Sequence, residues 1–156
     1  MTSNVEMTKQ AKKECANAMS KVLADTYILY LKTHNFHWNV TGPMFKSLHE
    51  MFEEQYTEMW TAVDEIAERI RALGAAAPGT YAKFRELGTV EETEDLPNAD
   101  EMVADLVKSN EALARTIRSA LSTAQDNGDE VSAGILTDRL TVHEKSIWMM
   151  RSTLAA

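Results

Sequence analysis

The stretch MFKSLHEMFEEQYTEMWTAVDEIAERIRAL, Met44 to Leu73, decides the fold. Phe45, Leu48, Phe52, Tyr56, Met59, Val63, Ile66, Ile70 and Leu73 recur at steps of three and four, the period that lines one face of an α-helix, and Gly74 follows as a stop. On its N-terminal side the spacing predicts a first helix from about Glu6 to Trp38, with Val22, Leu23, Tyr27, Tyr30, Leu31 and His34 on or near one face. That helix ends at Asn39-Val40-Thr41-Gly42-Pro43, where glycine stops one helix and proline can open the next.

On its C-terminal side, residues 75–97 contain Pro78-Gly79, Gly88 and Pro97 and read as irregular, with a short helix at Tyr81 to Leu87. A connection of that length is unusual in an up-down bundle. It makes sense if it travels the length of the bundle, so that the second and third helices run parallel. Asn98 and Glu101 then form a capping box opening the third helix, whose Met102, Leu106, Leu113, Ile117 and Leu121 face inward. Asp126-Asn127-Gly128-Asp129 is a turn, and the fourth helix carries Ile135 or Leu136, Leu140, His143, Ile147, Met150 and Leu154. With no repeats and no strand-like alternation, the expectation is one all-α domain over residues 1–156, a four-helix bundle of ferritin-like topology with a long crossover.

A chain of 156 residues buries a real core without staples. The single cysteine, Cys15, has no internal partner and reads as a packing residue rather than a reactive thiol. No leader and no apolar run of spanning length stands out, so a soluble cytoplasmic protein is expected. The balance of 16 basic to 24 acidic residues gives a charge of −8, which argues against a surface that attracts nucleic acid everywhere and favours cations as guests. Glu86, Glu91, Glu92, Glu94, Asp95, Asp100, Glu101 and Asp105 form a run without Lys or Arg, read as a solvated acidic loop.

The second helix carries chemistry as well as apolar residues. His49 and Glu53 lie four apart, as do Asp64 and Glu68, so each pair shares a face and makes a potential metal clip. The offset between the clips rotates by about 60° and rises roughly 22 Å along the axis, whereas a metal–ligand bond is about 2 Å long. No single ion touches both clips of one chain. A two-fold axis near the middle of this helix would set the first clip of one copy against the second clip of the other. His37, just before the turn back toward His49, would complete the set. Imidazole with carboxylate suits iron(II), manganese or zinc, and iron is the best fit because carboxylates stabilise iron(III). A charged dimer interface without metal is the plainer alternative.

His37-Trp38-Asn39-Val40-Thr41-Gly42, Phe45, Leu48-His49-Glu50, the run Asp64-Glu65-Ile66-Ala67-Glu68-Arg69 and Ala76-Ala77-Pro78-Gly79-Thr80 together resemble the Dps family, mini-ferritins named for DNA-binding proteins from starved cells. The likeness covers nearly the whole chain. It implies that His37 and His49 of one subunit join Asp64 and Glu68 of its two-fold mate in a ferroxidase centre for two iron ions, with Glu53 bridging or supporting them. It also implies iron(II) oxidation by hydrogen peroxide or oxygen, storage of the ferric product in a dodecamer with a hollow interior, and protection from oxidative damage. Trp38 would intercept radicals or shuttle electrons at the centre, or simply pack at the dimer contact.

Other residues carry weaker expectations. Trp60 and Trp148 read as core or interface, His34 as a hydrogen-bonded core histidine or a secondary ion ligand, His143 as a core histidine, and the nine methionines as packing. By the resemblance, Asp126, Asp129 and Glu130 either line an acidic iron-entry pore or form an exposed turn. DNA binding, which gives the family its name and would place the protein at the nucleoid, has little behind it: Lys9, Lys12 and Lys13 stand among Glu6 and Glu14, and Ala155-Ala156 is not basic. The competing function is a DNA-compacting structural protein with a vestigial metal site. The Glu-x-x-His pairs of larger ferritins are absent.

Overall fold

The computed structural model describes residues 7–155 of the chain. Five helices and no strand occur among them: α1 (Lys9–Asn39), α2 (Phe45–Ala72), α3 (Tyr81–Leu87), α4 (Ala99–Asp126) and α5 (Glu130–Leu154). The short helix in the crossover and the four long ones stand where the spacing put them. The expected start at Glu6 lies outside the described residues; Thr8 caps α1 by accepting from Ala11 N.

Helix ends follow local chemistry. Asn98 accepts from Glu101 N while the Glu101 carboxylate accepts from Asn98 N, the reciprocal capping box. Gly74, at φ +92°, closes α2 in a Schellman motif: Gly74 N donates to Arg71 O and Ala75 N to Ile70 O. Gly128, at φ +66°, does the same for α4, with Asp129 N reaching Ala124 O at 2.8 Å. Asp129 then caps α5 through Ser132 N. One residue thus ends one helix and starts the next.

Pairings between ends fix the topology. His37 near the end of α1 meets His49 near the start of α2, and Lys32 meets Asp105 early in α4 while Glu14 takes a bond from Asn127 at its close. Helices α2 and α4 are therefore both antiparallel to α1 and parallel to each other, the arrangement that the long crossover exists to make. Asn110–His143 and Glu58–Arg139 run α5 antiparallel to α4 and to α2. Met19, Leu29, Phe36, Phe52, Ile66, Ile70, Leu106, Leu113, Ile117 and Leu136 fill the space between. No helix among the described residues is long and apolar enough to cross a membrane.

The crossover is pinned by a fully buried carboxylate. Asp25 of α1 accepts from Thr89 N, Val90 N and the hydroxyls of Thr89 and Thr116, so loop, α1 and α4 share one anchor. Gly88 makes room for it: a Cβ there would stand 2.5 Å from Ile28 Cδ1 and 2.8 Å from Phe84 O. The acidic run is solvated except at Asp105, which accepts from Thr93, Lys32 and Ser109. Burial pushes the Asp105 carboxyl up, but those three partners outweigh it and hold it below its ordinary value.

Some apolar residues leave the core. Leu31, Phe45, Trp60, Trp148 and Leu154 are exposed, so Trp60 and Trp148 are not core residues of the chain. Met19, Met59, Met102 and Met150 pack inside as expected, but Met44 and Met149 are exposed. Cys15 is buried, and burial first, then the Asp129 carboxylate, push its thiol up to about 11. It is a packing residue.

Candidate metal centre

His37 lies in the last turn of α1, where carbonyls lack intrahelical partners, and His49 lies one turn into α2. The turn at residues 40–44 folds the two rings face to face, centroids 3.8 Å apart and 15° from parallel. Each ring then bonds the other's backbone. His37 Nδ1 donates to His49 O at 2.7 Å, and His49 Nδ1 donates to His37 O at 2.7 Å. A carbonyl only accepts, so both rings carry a proton on Nδ1, and in the neutral ring that tautomer leaves the Nε2 lone pair free. This is the orientation and tautomer that metal-ligating histidines receive from their outer partners.

The remaining candidates lie on α2. Glu53, one turn beyond His49, is exposed, as are Asp64 and Glu68 in the last third of the helix. No ion pair among the described residues engages any of the three. The single chain does not unite the set: among the described residues no three His, Cys, Asp or Glu groups converge closely enough to hold an ion. The chain presents two candidate half-sites, a paired-imidazole end with Glu53 and a carboxylate end with Asp64 and Glu68, separated by roughly 22 Å of helix. Trp38 is 58% exposed beside the first of them.

A family model described as a ferritin-like domain matches residues 16–156. The DNA protection during starvation protein 2 of Bacillus anthracis is 38% identical over 142 residues, which cover 91% of this chain and 97% of that one. The chain belongs to the Dps family. Among solved structures, the Dps protein of Vibrio cholerae O1, described as a member of a broad superfamily of ferritin-like diiron-carboxylate proteins, superposes with a TM-score of 0.92 at 29% identity. It covers 99% of this chain and 97% of its own. Antigen TpF1 of Treponema pallidum gives 0.93 at 33% identity, covering 99% and 100%.

Around the half-sites of this Dps chain lie aromatic residues whose spacing looked like core. Tyr56, seven residues after His49, is half-buried, stacks on His34 at 4.1 Å and meets His37 edge-on at 5.1 Å. His34 is held between Tyr56 and Trp38, with ring centroids 4.0 Å apart in the latter pair. It is thus an aromatic spacer rather than a hydrogen-bonded core histidine, and burial together with His37 lowers its pKa. Phe45 stacks on the outer face of His49 at 5.0 Å, which explains its exposure at a position that periodicity assigns to the core. The helical offset of Tyr56 from His49 was the available signal, and it is indistinguishable from an ordinary apolar stripe.

Two further polar expectations resolve. His143 is a core histidine in a chain of bonds: the Glu58 carboxylate accepts from both terminal guanidinium nitrogens of Arg139, Arg139 Nη2 meets His143 Nε2 at 3.0 Å, and His143 Nδ1 meets Asn110 Oδ1 at 2.8 Å. The acidic turn divides. Asp126 and Glu130 are exposed, but Asp129 is buried, bonded to Arg69 Nη2 at 2.8 Å and committed to capping α5, so it is no free pore carboxylate. Burial raises its carboxyl, yet Ser132 and Arg69 together hold it below its ordinary value. Lys9, Lys12 and Lys13 are exposed in the first turns of α1.

Proposed function

We propose that this Dps protein oxidises iron(II) at centres shared between two-fold-related copies, with hydrogen peroxide as the favoured oxidant, and stores the ferric product within a hollow dodecamer. His37 and His49 supply neutral imidazole nitrogens from one copy, Asp64 and Glu68 supply carboxylates from its mate, and Glu53 supports the ions from the imidazole side. The observation that carries this reading is the reciprocal Nδ1-to-carbonyl bonding of His37 and His49, which commits neither Nε2 atom, one helical turn before the exposed Glu53 on α2. Mixed imidazole and carboxylate ligands fit iron(II), and the hard carboxylates favour the iron(III) that forms. The likeness to ferritin-like diiron-carboxylate relatives supports the same metal.

The chemistry balances as two iron(II) ions and one peroxide plus two protons giving two iron(III) ions and two waters. Because both electrons leave at one centre, no hydroxyl radical escapes, and the protein protects as it stores. Trp38, exposed beside His37, is placed to intercept a stray one-electron oxidant.

The test is anaerobic iron(II) loading of the sized assembly, followed by peroxide or oxygen while ferric absorbance is recorded. His49→Ala and Asp64→Ala each slow oxidation at least about ten-fold. Co-expressed into mixed shells, the two inactive chains recover about one quarter of the centres, because each heterodimer pairs one intact imidazole half with one intact carboxylate half. Parent-like oxidation by both single variants, or no recovery in mixed shells whose assembly is intact, overturns the shared centre.

A further inference from the structure

The aromatic residues left outside the core on α1 and α2 are not scattered. Beginning at the paired imidazoles, Tyr56 meets His37 at 5.1 Å, Tyr30 meets Tyr56 at 6.0 Å, and Tyr30 in turn meets Trp60 and Tyr27, each at 5.7 Å. Trp60 and Tyr27 line the same groove as Asp64. The run of rings therefore starts at the imidazole half-site and reaches the groove that Asp64 also lines, with Trp60 one helical turn before Asp64 on α2. Every step falls within the centroid separations of interacting aromatic pairs. Trp148, on α5, makes no aromatic contact among the described residues and lines a groove away from both half-sites.

We propose that Tyr56, Tyr30 and the Trp60/Tyr27 pair form an electron relay that couples the two metal centres of a dimer. The proposal rests on the shared-centre reading above: since the two half-sites of one chain then belong to different centres, a relay joining them joins the centres. Tyrosine and tryptophan are the ring side chains that give up one electron most readily, and the half-burial of Tyr27, Tyr30 and Tyr56 shields a travelling radical from solvent.

The relay matters when a centre holds a single iron(II). One iron(II), one peroxide and one proton then give iron(III), water and a hydroxyl radical. The Tyr56 phenol gives its hydrogen atom to that radical, forming water and a Tyr56 phenoxyl. Tyr30 next reduces Tyr56, passing an electron and its proton, and is itself reduced through Trp60 or Tyr27. At the far end the last ring takes an electron from iron(II) at the second centre and a proton from water, leaving iron(III) and an intact side chain. The sum is again two iron(II) oxidised per peroxide. Burial, with Tyr27, Tyr56 and Tyr81 nearby, raises the Tyr30 pKa and keeps its phenol protonated between turnovers.

The assembled protein, with ring-deuterated tyrosine, is loaded anaerobically with iron(II) from one to two ions per centre, mixed with hydrogen peroxide and freeze-quenched for EPR. Iron(III) formed per peroxide is read on the same samples. Parent protein keeps two iron(III) per peroxide from two ions per centre down to one, where each centre of a dimer holds a single ion, and shows a short-lived phenoxyl signal, narrowed by deuteration, only near that low loading. Tyr30→Phe preserves the ring and its packing but breaks the relay. At low loading its yield falls toward one iron(III) per peroxide and its radical, stranded on Tyr56 or Trp38, persists several-fold longer. At full loading it matches the parent, and Trp148→Phe matches the parent throughout.

Equal yields and radical lifetimes for Tyr30→Phe and parent at low loading overturn the relay while leaving iron oxidation standing. Loss of activity by Tyr30→Phe at full loading also overturns it, since Tyr30 would then serve a centre rather than link two. A parent that oxidises no iron at any loading sinks the shared-centre reading, and the relay with it.

Discussion

Replacing His143 with glutamine removes a pH dependence of stability whose size follows from the bonds around the ring. His143 is 2% exposed. Asn110 Nδ2 donates to Leu106 O, so the Asn110 Oδ1 facing the ring is an acceptor and His143 Nδ1 carries the proton. His143 Nε2 faces Arg139 Nη2, which only donates, so that nitrogen must stay bare. A second proton would have no acceptor and would sit against a guanidinium. Burial first, and Arg139 second, push the imidazole down to about 3. Glu58 of α2 is engaged by Arg139, and Glu54 and Lys145 border the same groove.

Unfolding returns the ring to water and to its ordinary value of 6.5. Below that pH the unfolded chain binds a proton that the folded chain refuses, so stability falls as pH falls and is fully present only above the unfolded value. Each pH unit in this window removes about 1.4 kcal/mol per chain. Between pH 6.5 and pH 4.5 the His143 contribution amounts to roughly 2–3 kcal/mol. Glutamine at this position forfeits about 1–3 kcal/mol at neutral pH through imperfect hydrogen bonding, but it does not titrate. Denaturant midpoints for parent and His143→Gln, measured at one subunit concentration so that assembly contributes equally, should converge as the pH drops from 7.5 to 4.5. A gap that stays constant across that range refutes the buried neutral imidazole.

Asp105→Ala leaves the Lys32 ammonium buried with only the Ser109 hydroxyl; it should cost about 3–5 kcal/mol in denaturant unfolding, and a Lys32→Met/Asp105→Leu pair should recover most of that. Gly88→Ala drives a methyl against Phe84 O and the Asp25 anchor, with an expected loss of about 1–3 kcal/mol by the same measurement. Asn98→Ala removes the capping box of α4 and should cost about 1 kcal/mol. Cys15, with its thiol pushed up to about 11 and buried, should resist thiol reagents at pH 8 in the folded protein and react on unfolding; labelling of folded protein at the unfolded rate contradicts the packing role.

What was legible in the amino-acid sequence was local. The capping residues Asn98 and Glu101, the stops at Gly74 and Gly128, and the three- and four-residue apolar steps each act within a turn or two of chain, so their reading carries directly into helix bounds. What escaped it was the difference between an apolar face that meets the rest of its own chain and one that does not. Phe45, Tyr56 and Trp60 continue the stripe of Leu48, Phe52 and Met59 in sequence, yet they turn toward the half-sites and the groove at Asp64. Periodicity reports that a face is buried by something and is silent on what buries it. Asp129 escaped for the converse reason: an acidic turn looks solvated until Arg69, sixty residues earlier, is seen to reach it.

The candidate centre shows both limits at once. Spacing on α2 alone separates the two clips by roughly 22 Å, and among the described residues no three His, Cys, Asp or Glu groups converge at either end. Sequence could not show that His37 and His49 each hold the other's ring through a main-chain carbonyl, because that bond depends on how the turn at residues 40–44 stacks the last turn of α1 on the first of α2. The consequence is mechanical. A substitution in that turn which leaves both histidines in place should still weaken metal binding, because the rings lose the carbonyls that fix their orientation. On the proposed shared centre, the imidazole half is built by one chain before a second arrives, whereas the carboxylates would gain their function only on pairing.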